Sequence, residues 1–115
     1  MVVDDEILML EVLRRVLGRE HDVVTASDGA EALQRIIEEK PFDFVFCDLA
    51  MAGMSGIDLF AHIKVSHPEL VGKFVFLTGG AITPAAAQAL EEAPCGVIEK
   101  PFDPDAIREF IRQRL

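Results

Sequence analysis

Short apolar runs alternate along the chain with longer stretches in which apolar residues recur every three or four positions. The runs are Met1 to Val3, Val23 to Ala26, Phe44 to Cys47, Phe74 to Leu77 and Cys95 to Ile98. Phe44 to Cys47 and Phe74 to Leu77 show no polar alternation, the pattern of strands buried on both faces of a parallel sheet. The stretches between them predict helices. Glu6 to Leu17 places Met9, Leu13, Val16 and Leu17 on one face, and Gly18 suits its stop. Asp28 and Glu31 stand at capping-box spacing before Leu33, Ile36 and Ile37, and Lys40-Pro41 ends that helix. Met51 to Gly56 reads as a loop. Ile57 to Val65 sets Ile57, Phe60, Ala61 and Lys64 at helical spacing, and His67-Pro68 closes it. Thr83-Pro84 and Asp103-Pro104 each give a cap followed by proline. After the first, Ala85 to Glu92 offers Leu90 as its one large apolar residue and should be loosely held. After the second, Ile107, Phe110 and Ile111 form an apolar face. Five strands alternating with five helices predict a doubly wound α/β domain with right-handed crossovers.

The 115 residues fit one domain, 1–115, and half of them are hydrophobic, enough for a core at this size. The net charge of −9 argues against direct binding to nucleic acid and against contact with an anionic membrane surface. No apolar run approaches the ~18 residues needed to span a bilayer. Asp4, Asp5 and Glu6 interrupt any N-terminal signal segment. Cys47 and Cys95 form no metal-binding spacing and read as buried free thiols. His21, His62 and His67 are scattered and read as surface residues. A cytoplasmic location is the expectation.

The polar residues at the ends of the apolar runs change the picture. Asp4-Asp5 follows the first run, Asp48 the third, Thr78 the fourth, and Lys100 follows the fifth after Glu99. The carboxyl ends of parallel strands lie along one edge, where sites form. Each residue alone has an ordinary reading: Asp4-Asp5 as a helix cap, Asp48 as a turn former, Thr78 as a loop hydroxyl, Lys100 as a solvated charge. Together, three carboxylates, a hydroxyl and an ammonium suggest a cation site with a reactive carboxylate. Carboxylate oxygens are hard ligands that suit Mg²⁺ or Mn²⁺. Grouping three carboxylates raises their energy unless a cation is present, so the pocket should hold a perturbed carboxyl.

In this order and spacing, Val3-Asp4-Asp5-Glu6, Asp48-Leu49-Ala50-Met51 through Gly56, Leu77-Thr78-Gly79 and Lys100-Pro101-Phe102 resemble the receiver domain of response regulators, the phosphoacceptor half of two-component signalling. The resemblance covers the whole chain. It implies a flavodoxin-like sheet of order 2-1-3-4-5 and a phosphoryl group taken from a phosphohistidine onto Asp48. It implies Asp5, Asp48 and the Ala50 backbone carbonyl as direct metal ligands, with Asp4 acting mainly through water. Lys100 would neutralise the transferring group, and Thr78 would bond a phosphoryl oxygen and trigger the conformational switch. The implied partner is a histidine kinase or a histidine phosphotransfer domain. The isolated domain would not be an enzyme, beyond assisting its own phosphorylation and dephosphorylation. The face of the fourth helix, fifth strand and fifth helix is the implied partner surface, and dimerisation is expected there if anywhere.

The chain departs from the family in places. Ala52 stands where proline is usual, and Val97 where an aromatic usually swings inward. Ala50 and Gly80 occupy the positions that tune phosphoryl lifetime, so solvent access should set that lifetime. The first strand is short, which leads us to expect an excerpt of a longer protein, the C-terminal receiver of a hybrid histidine kinase. Two other readings compete: a receiver-like interaction module that works without phosphate, and a flavin- or nucleotide-binding domain. The last lacks a Gly-rich loop after the first strand, where Asp4-Asp5-Glu6 would repel phosphate.

Overall fold

The computed structural model describes residues 1–39, 41–51, 53–79, 84–92, 96–100 and 103–115. Its elements run β1 (Val2–Val3), α1 (Ile7–Leu17), β2 (Thr25–Ala26), α2 (Gly29–Glu38), β3 (Val45–Asp48), α3 (Gly56–Ser66), β4 (Phe74–Thr78), α4 (Pro84–Glu92), β5 (Val97–Glu99) and α5 (Pro104–Arg114). All neighbouring strands pair in parallel, in the order β2-β1-β3-β4-β5. This is the flavodoxin-like arrangement, with its topological switch between β1 and β3.

Every residue of β3 and β4 is buried, as their unbroken apolar runs require. Alternate residues feed two cores. Val45, Cys47, Phe74 and Phe76 join Ala32 and Ile36 of α2 and Leu59, Phe60 and Ile63 of α3, with Leu90 of α4 packed alongside. Phe46, Val75 and Leu77 join Leu10, Leu13 and Leu17 of α1 and Ile107 and Ile111 of α5. The sheet is thus covered on both faces, α2, α3 and α4 on one and α1 and α5 on the other.

The helix starts rest on local hydrogen bonds. Asp28 Oδ1 accepts from Glu31 N at 2.7 Å, while the Glu31 carboxylate accepts from Ser27 Oγ, so only half of the expected capping box forms. A complete box is found at α3, where Ser55 and Asp58 satisfy each other's backbone N–H groups. The Ser-x-x-Asp spacing carried that signal.

Several expected faces need correction. In α1 the buried residues are Leu10, Leu13 and Leu17, while Met9 and Val16 lie at the margin. In α3 they are Gly56, Leu59, Phe60 and Ile63, and Ala61 and Lys64 face outward. Ile37 of α2 is exposed. A 3-10 turn over Pro68–Lys73, absent from the sequence reading, buries Leu70 just before β4. Gly56 is the first residue of α3 rather than loop. The expectations for Lys40, Ala52, Gly80, Thr83, Cys95, Pro101 and Phe102 fall outside the described residues.

Candidate functional site

The carboxyl ends of β1, β3, β4 and β5 lie side by side because parallel pairing sets Val3 against Cys47, Asp48 against Leu77, and Thr78 against Glu99. The polar residue ending each run is therefore delivered to one edge. Asp4 follows β1 and is fully buried. Asp48 and Thr78 are the last residues of β3 and β4, and both are buried. Lys100 follows β5, and its backbone N–H donates to the Thr78 carbonyl.

One carboxylate oxygen from each of Asp4, Asp5 and Asp48 lies within 4.8 Å of the others. Asp5 is exposed, so the cluster opens to solvent on its side. Lys100 joins the two buried carboxylates. Its Nζ donates to Asp4 Oδ2 at 3.0 Å and to Asp48 Oδ2 at 3.2 Å. Asp4 Oδ1 accepts from Glu6 N at 3.0 Å, so Asp4 shapes the turn ahead of α1. The N-cap of that helix is Glu6, without a side-chain cap bond, which corrects the helix-cap reading of Asp4-Asp5. Asp48 Oδ1 accepts from Ala50 N at 3.4 Å.

The electrostatics follow from this packing. Burial raises the Asp48 carboxyl above the usual carboxylate range, the Asp4 charge raises it further, and Lys100 and the Ala50 N–H offset only part of the rise. Burial pulls the Lys100 ammonium down, but hydrogen bonding to Asp4 and the charges of Asp4 and Asp48 outweigh it, and the net shift is upward. Lys100 is thus held charged between two carboxylates. The perturbed carboxyl expected in the pocket is Asp48.

The donor set fits a hard divalent cation. Three carboxylates converge with no sulfur or imidazole among them, the composition that suits Mg²⁺ or Mn²⁺. Cys47 lies beneath the site but points its thiol to the Asp48 carbonyl at 3.3 Å, and burial pushes that thiol well above its ordinary range.

Two glycines hold this geometry. A Cβ on Gly56 would stand 2.3 Å from the Asp48 carbonyl oxygen, so α3 begins flush against the acceptor strand only because that side chain is missing. A Cβ on Gly79 would come within 3.0 Å of Lys100 Cβ, so the lysine stem runs through the space Gly79 leaves.

Other residues singled out in the sequence lie elsewhere. His62 is exposed, as expected. His21 is half-buried, and its Nε2 has no partner among the described residues, which corrects its reading as plain surface. It lines a groove of about 570 Å³ with Val23, Phe44 and Ile111, away from the acidic cluster. Met51 is buried and Met54 half-buried, both as loop anchors. No helix among the described residues is long and apolar enough to cross a membrane.

A parallel 2-1-3-4-5 sheet with an acidic cluster, a threonine and a lysine at its carboxyl edge defines a receiver-type signalling domain. Residues 1–112 match the response regulator receiver domain, and the chain belongs to that family. It is similar to the transcriptional regulatory protein ZraR of Klebsiella oxytoca (32% identity) and to the transcriptional regulatory protein GlrR of Escherichia coli K12 (34%), in each case over 100% of the chain. The chain spans 26% of the length of each of these relatives. Among solved structures, the receiver domain of NtrX from Brucella abortus superposes with a TM-score of 0.82 at 31% identity, over 97% of this chain and 93% of that one.

Proposed function

We propose that the domain is a phosphoacceptor that takes a phosphoryl group onto Asp48. The observation that carries this reading is the convergence of Asp4, Asp5 and Asp48 within 4.8 Å, with the Lys100 ammonium 3.2 Å from the acceptor carboxylate. Membership of the receiver family supports it and points to a histidine kinase or histidine phosphotransfer domain as donor.

In this reading an Asp48 carboxylate oxygen attacks phosphorus. The P–N bond to the donor imidazole breaks, its electron pair stays on the nitrogen, and an acyl phosphate forms. Catalysis is mostly positioning and charge neutralisation. Lys100 lies where it can turn from Asp48 toward an incoming phosphoryl oxygen while still bonded to Asp4. Thr78, at the tip of the neighbouring strand, is placed to donate its hydroxyl to another oxygen and so to draw in the segment that follows it. Asp5, Asp48 and the Ala50 carbonyl would hold a divalent cation, with Asp4 behind them. When bound, that ion supplies neutralising charge for the phosphoryl oxygens. Hydrolysis of the acyl phosphate returns the carboxylate, so the domain assists its own reset and is otherwise not an enzyme.

The test is phosphoryl trapping. The protein is mixed with Mg²⁺ and acetyl phosphate, and its intact mass is recorded beside Asp48→Asn. A gain of one phosphoryl mass that requires both Mg²⁺ and Asp48 is expected. No gain, together with failure to bind a beryllofluoride mimic, would favour the phosphate-independent module.

A further inference from the structure

The loop between β3 and α3 carries Ala50, and one side chain on it is seated in an unusual way. Gly29 is the first residue of α2 and is buried. A Cβ there would lie 2.8 Å from both Cγ and Sδ of Met54 and 2.9 Å from its Cβ. Met54 therefore fills the space of the missing Gly29 side chain, from its root outward. Swinging the thioether aside would not relieve that clash, because Met54 Cβ is fixed to the loop backbone. An added methyl at Gly29 would have to shift the loop.

Both ends of this contact lead to the carboxylate cluster. On one side, Gly29 follows Asp28, whose side chain fixes the start of α2, and Ala26, whose carbonyl accepts from Asp4 N at 3.1 Å. Ala26, three residues before Gly29, thus holds the backbone of Asp4. On the other side, Met54 lies four residues from Ala50, whose N–H donates to Asp48. The loop is tied by Leu49 N to the Leu77 carbonyl at 2.9 Å and by Gly56 N to the Leu49 carbonyl at 3.1 Å. Between these ties, Gly53 takes a left-handed φ of +75°. The Met54–Gly29 seat spans the gap between the segment that places Asp4 and the loop that carries Ala50.

We infer that Met54 is a positioning residue, which through its seat on Gly29 sets the Ala50 carbonyl and Asp48 against Asp4 and Asp5 and so tunes affinity for the divalent cation. This rests on the proposed cation-dependent phosphoacceptor reading of the site. Residues that orient a metal's ligands change metal affinity without touching the ion. Methionine suits the role because an unbranched thioether adapts to an irregular socket.

The test is a double-mutant cycle of Gly29→Ala, Met54→Ala and both together, in the whole 115-residue chain. Mg²⁺ affinity is read by calorimetry, and amide exchange at Ala50 and Gly53 is read in metal-free protein. Alanine is a better helix former than glycine, so α2 itself is not threatened by the first change. Gly29→Ala should weaken Mg²⁺ binding about tenfold and speed exchange at Ala50. In the Met54→Ala background the same change should cost clearly less than in the wild type, because two of the three close atoms, Cγ and Sδ, are gone and only the 2.9 Å approach to Cβ remains. Equal losses in both backgrounds, or unaltered Mg²⁺ affinity and Ala50 exchange in a folded Gly29→Ala protein, would overturn the inference. If Gly29→Ala does not fold, Met54→Ala alone decides, since it must raise the Mg²⁺ Kd and speed Ala50 exchange. Wild-type protein that binds no Mg²⁺ would sink the cation reading instead, and amide exchange would still test the seat.

Discussion

Lys100 Nζ lies 3.0 Å from Asp4 Oδ2, joining residues 96 positions apart in the sequence. Asp4 is fully buried, and its other oxygen is taken by the Glu6 N–H. The lysine is therefore the counter-charge set against a carboxylate inside the fold. The same ammonium bonds Asp48, so any group arriving at Asp48 competes for a charge already in use.

Removing that charge should be costly. Lys100→Met keeps the stem against Gly79 and deletes the ammonium. We expect a loss of about 2 kcal/mol, less than for a wholly buried pair because the Lys100 side chain is 19% exposed. Urea unfolding measures it. Mg²⁺ should restore part of the loss by replacing the missing charge, and equal losses with and without Mg²⁺ would contradict this account.

The Asp48 carboxyl gives a pH prediction of defined sign. Its folded pKa is raised, chiefly by burial and then by Asp4. As pH rises from below the ordinary aspartate value, the unfolded chain releases this proton first, so stability falls until the folded carboxyl has also titrated. Asp48→Asn removes that penalty. It should raise the Tm in metal-free buffer at neutral pH, with the gain vanishing in acid below the ordinary aspartate pKa. A gain that persists unchanged into acid would show a different cause.

Gly56→Ala tests how closely α3 abuts the acceptor strand. The added Cβ would stand 2.3 Å from the Asp48 carbonyl oxygen and 3.1 Å from Leu49 Cα, and backbone cannot step aside cheaply. Alanine's helix propensity returns about 1 kcal/mol, while overpacking costs about 1–3 kcal/mol, so a net destabilisation is expected. Phosphoryl uptake from acetyl phosphate should slow as well, because the shift falls on Asp48. Unaltered stability and uptake would mean that the helix start relaxes freely.

Cys47 should be inert until the protein opens. Burial, with Asp48 and Asp4 adding to it, pushes its thiol above the ordinary range, and the residue has no exposed surface. In a Cys95→Ser background, its reaction with a thiol reagent should follow unfolding and speed up sharply in denaturant. Fast reaction in native buffer would contradict the burial.

The strands were legible because β3 and β4 are apolar at nearly every position and end on polar residues. That same feature brought Asp4, Asp5, Asp48, Thr78 and Lys100 to one edge on paper, since parallel strands present one end together. Helix faces were harder. In α3, Ile57, Leu59, Phe60, Ala61, Ile63 and Val65 crowd the helix with apolar residues, so spacing alone could not choose Leu59 and Ile63 over Ala61. The 3-10 turn at Pro68–Lys73 is too short to show a period. The two hydrogen bonds that Lys100 donates, to Asp4 and to Asp48, depend on side-chain packing, and the seat of Met54 on Gly29 joins residues 25 apart that no local pattern relates.

The sheet divides two aromatic clusters. Phe60, Phe74 and Phe76 form one triangle, with ring centroids 5.0 to 5.5 Å apart. Phe44, Phe46 and Phe110 form the other, at 5.8 to 6.1 Å. Val45 and Cys47 of β3 face the first cluster and Phe46 the second, so the strand that ends in Asp48 is clamped from both sides. Mechanically, Asp48 stands on an anvil. Beneath it the packing offers nothing compliant, and the group bonded to it from the side is the Lys100 ammonium.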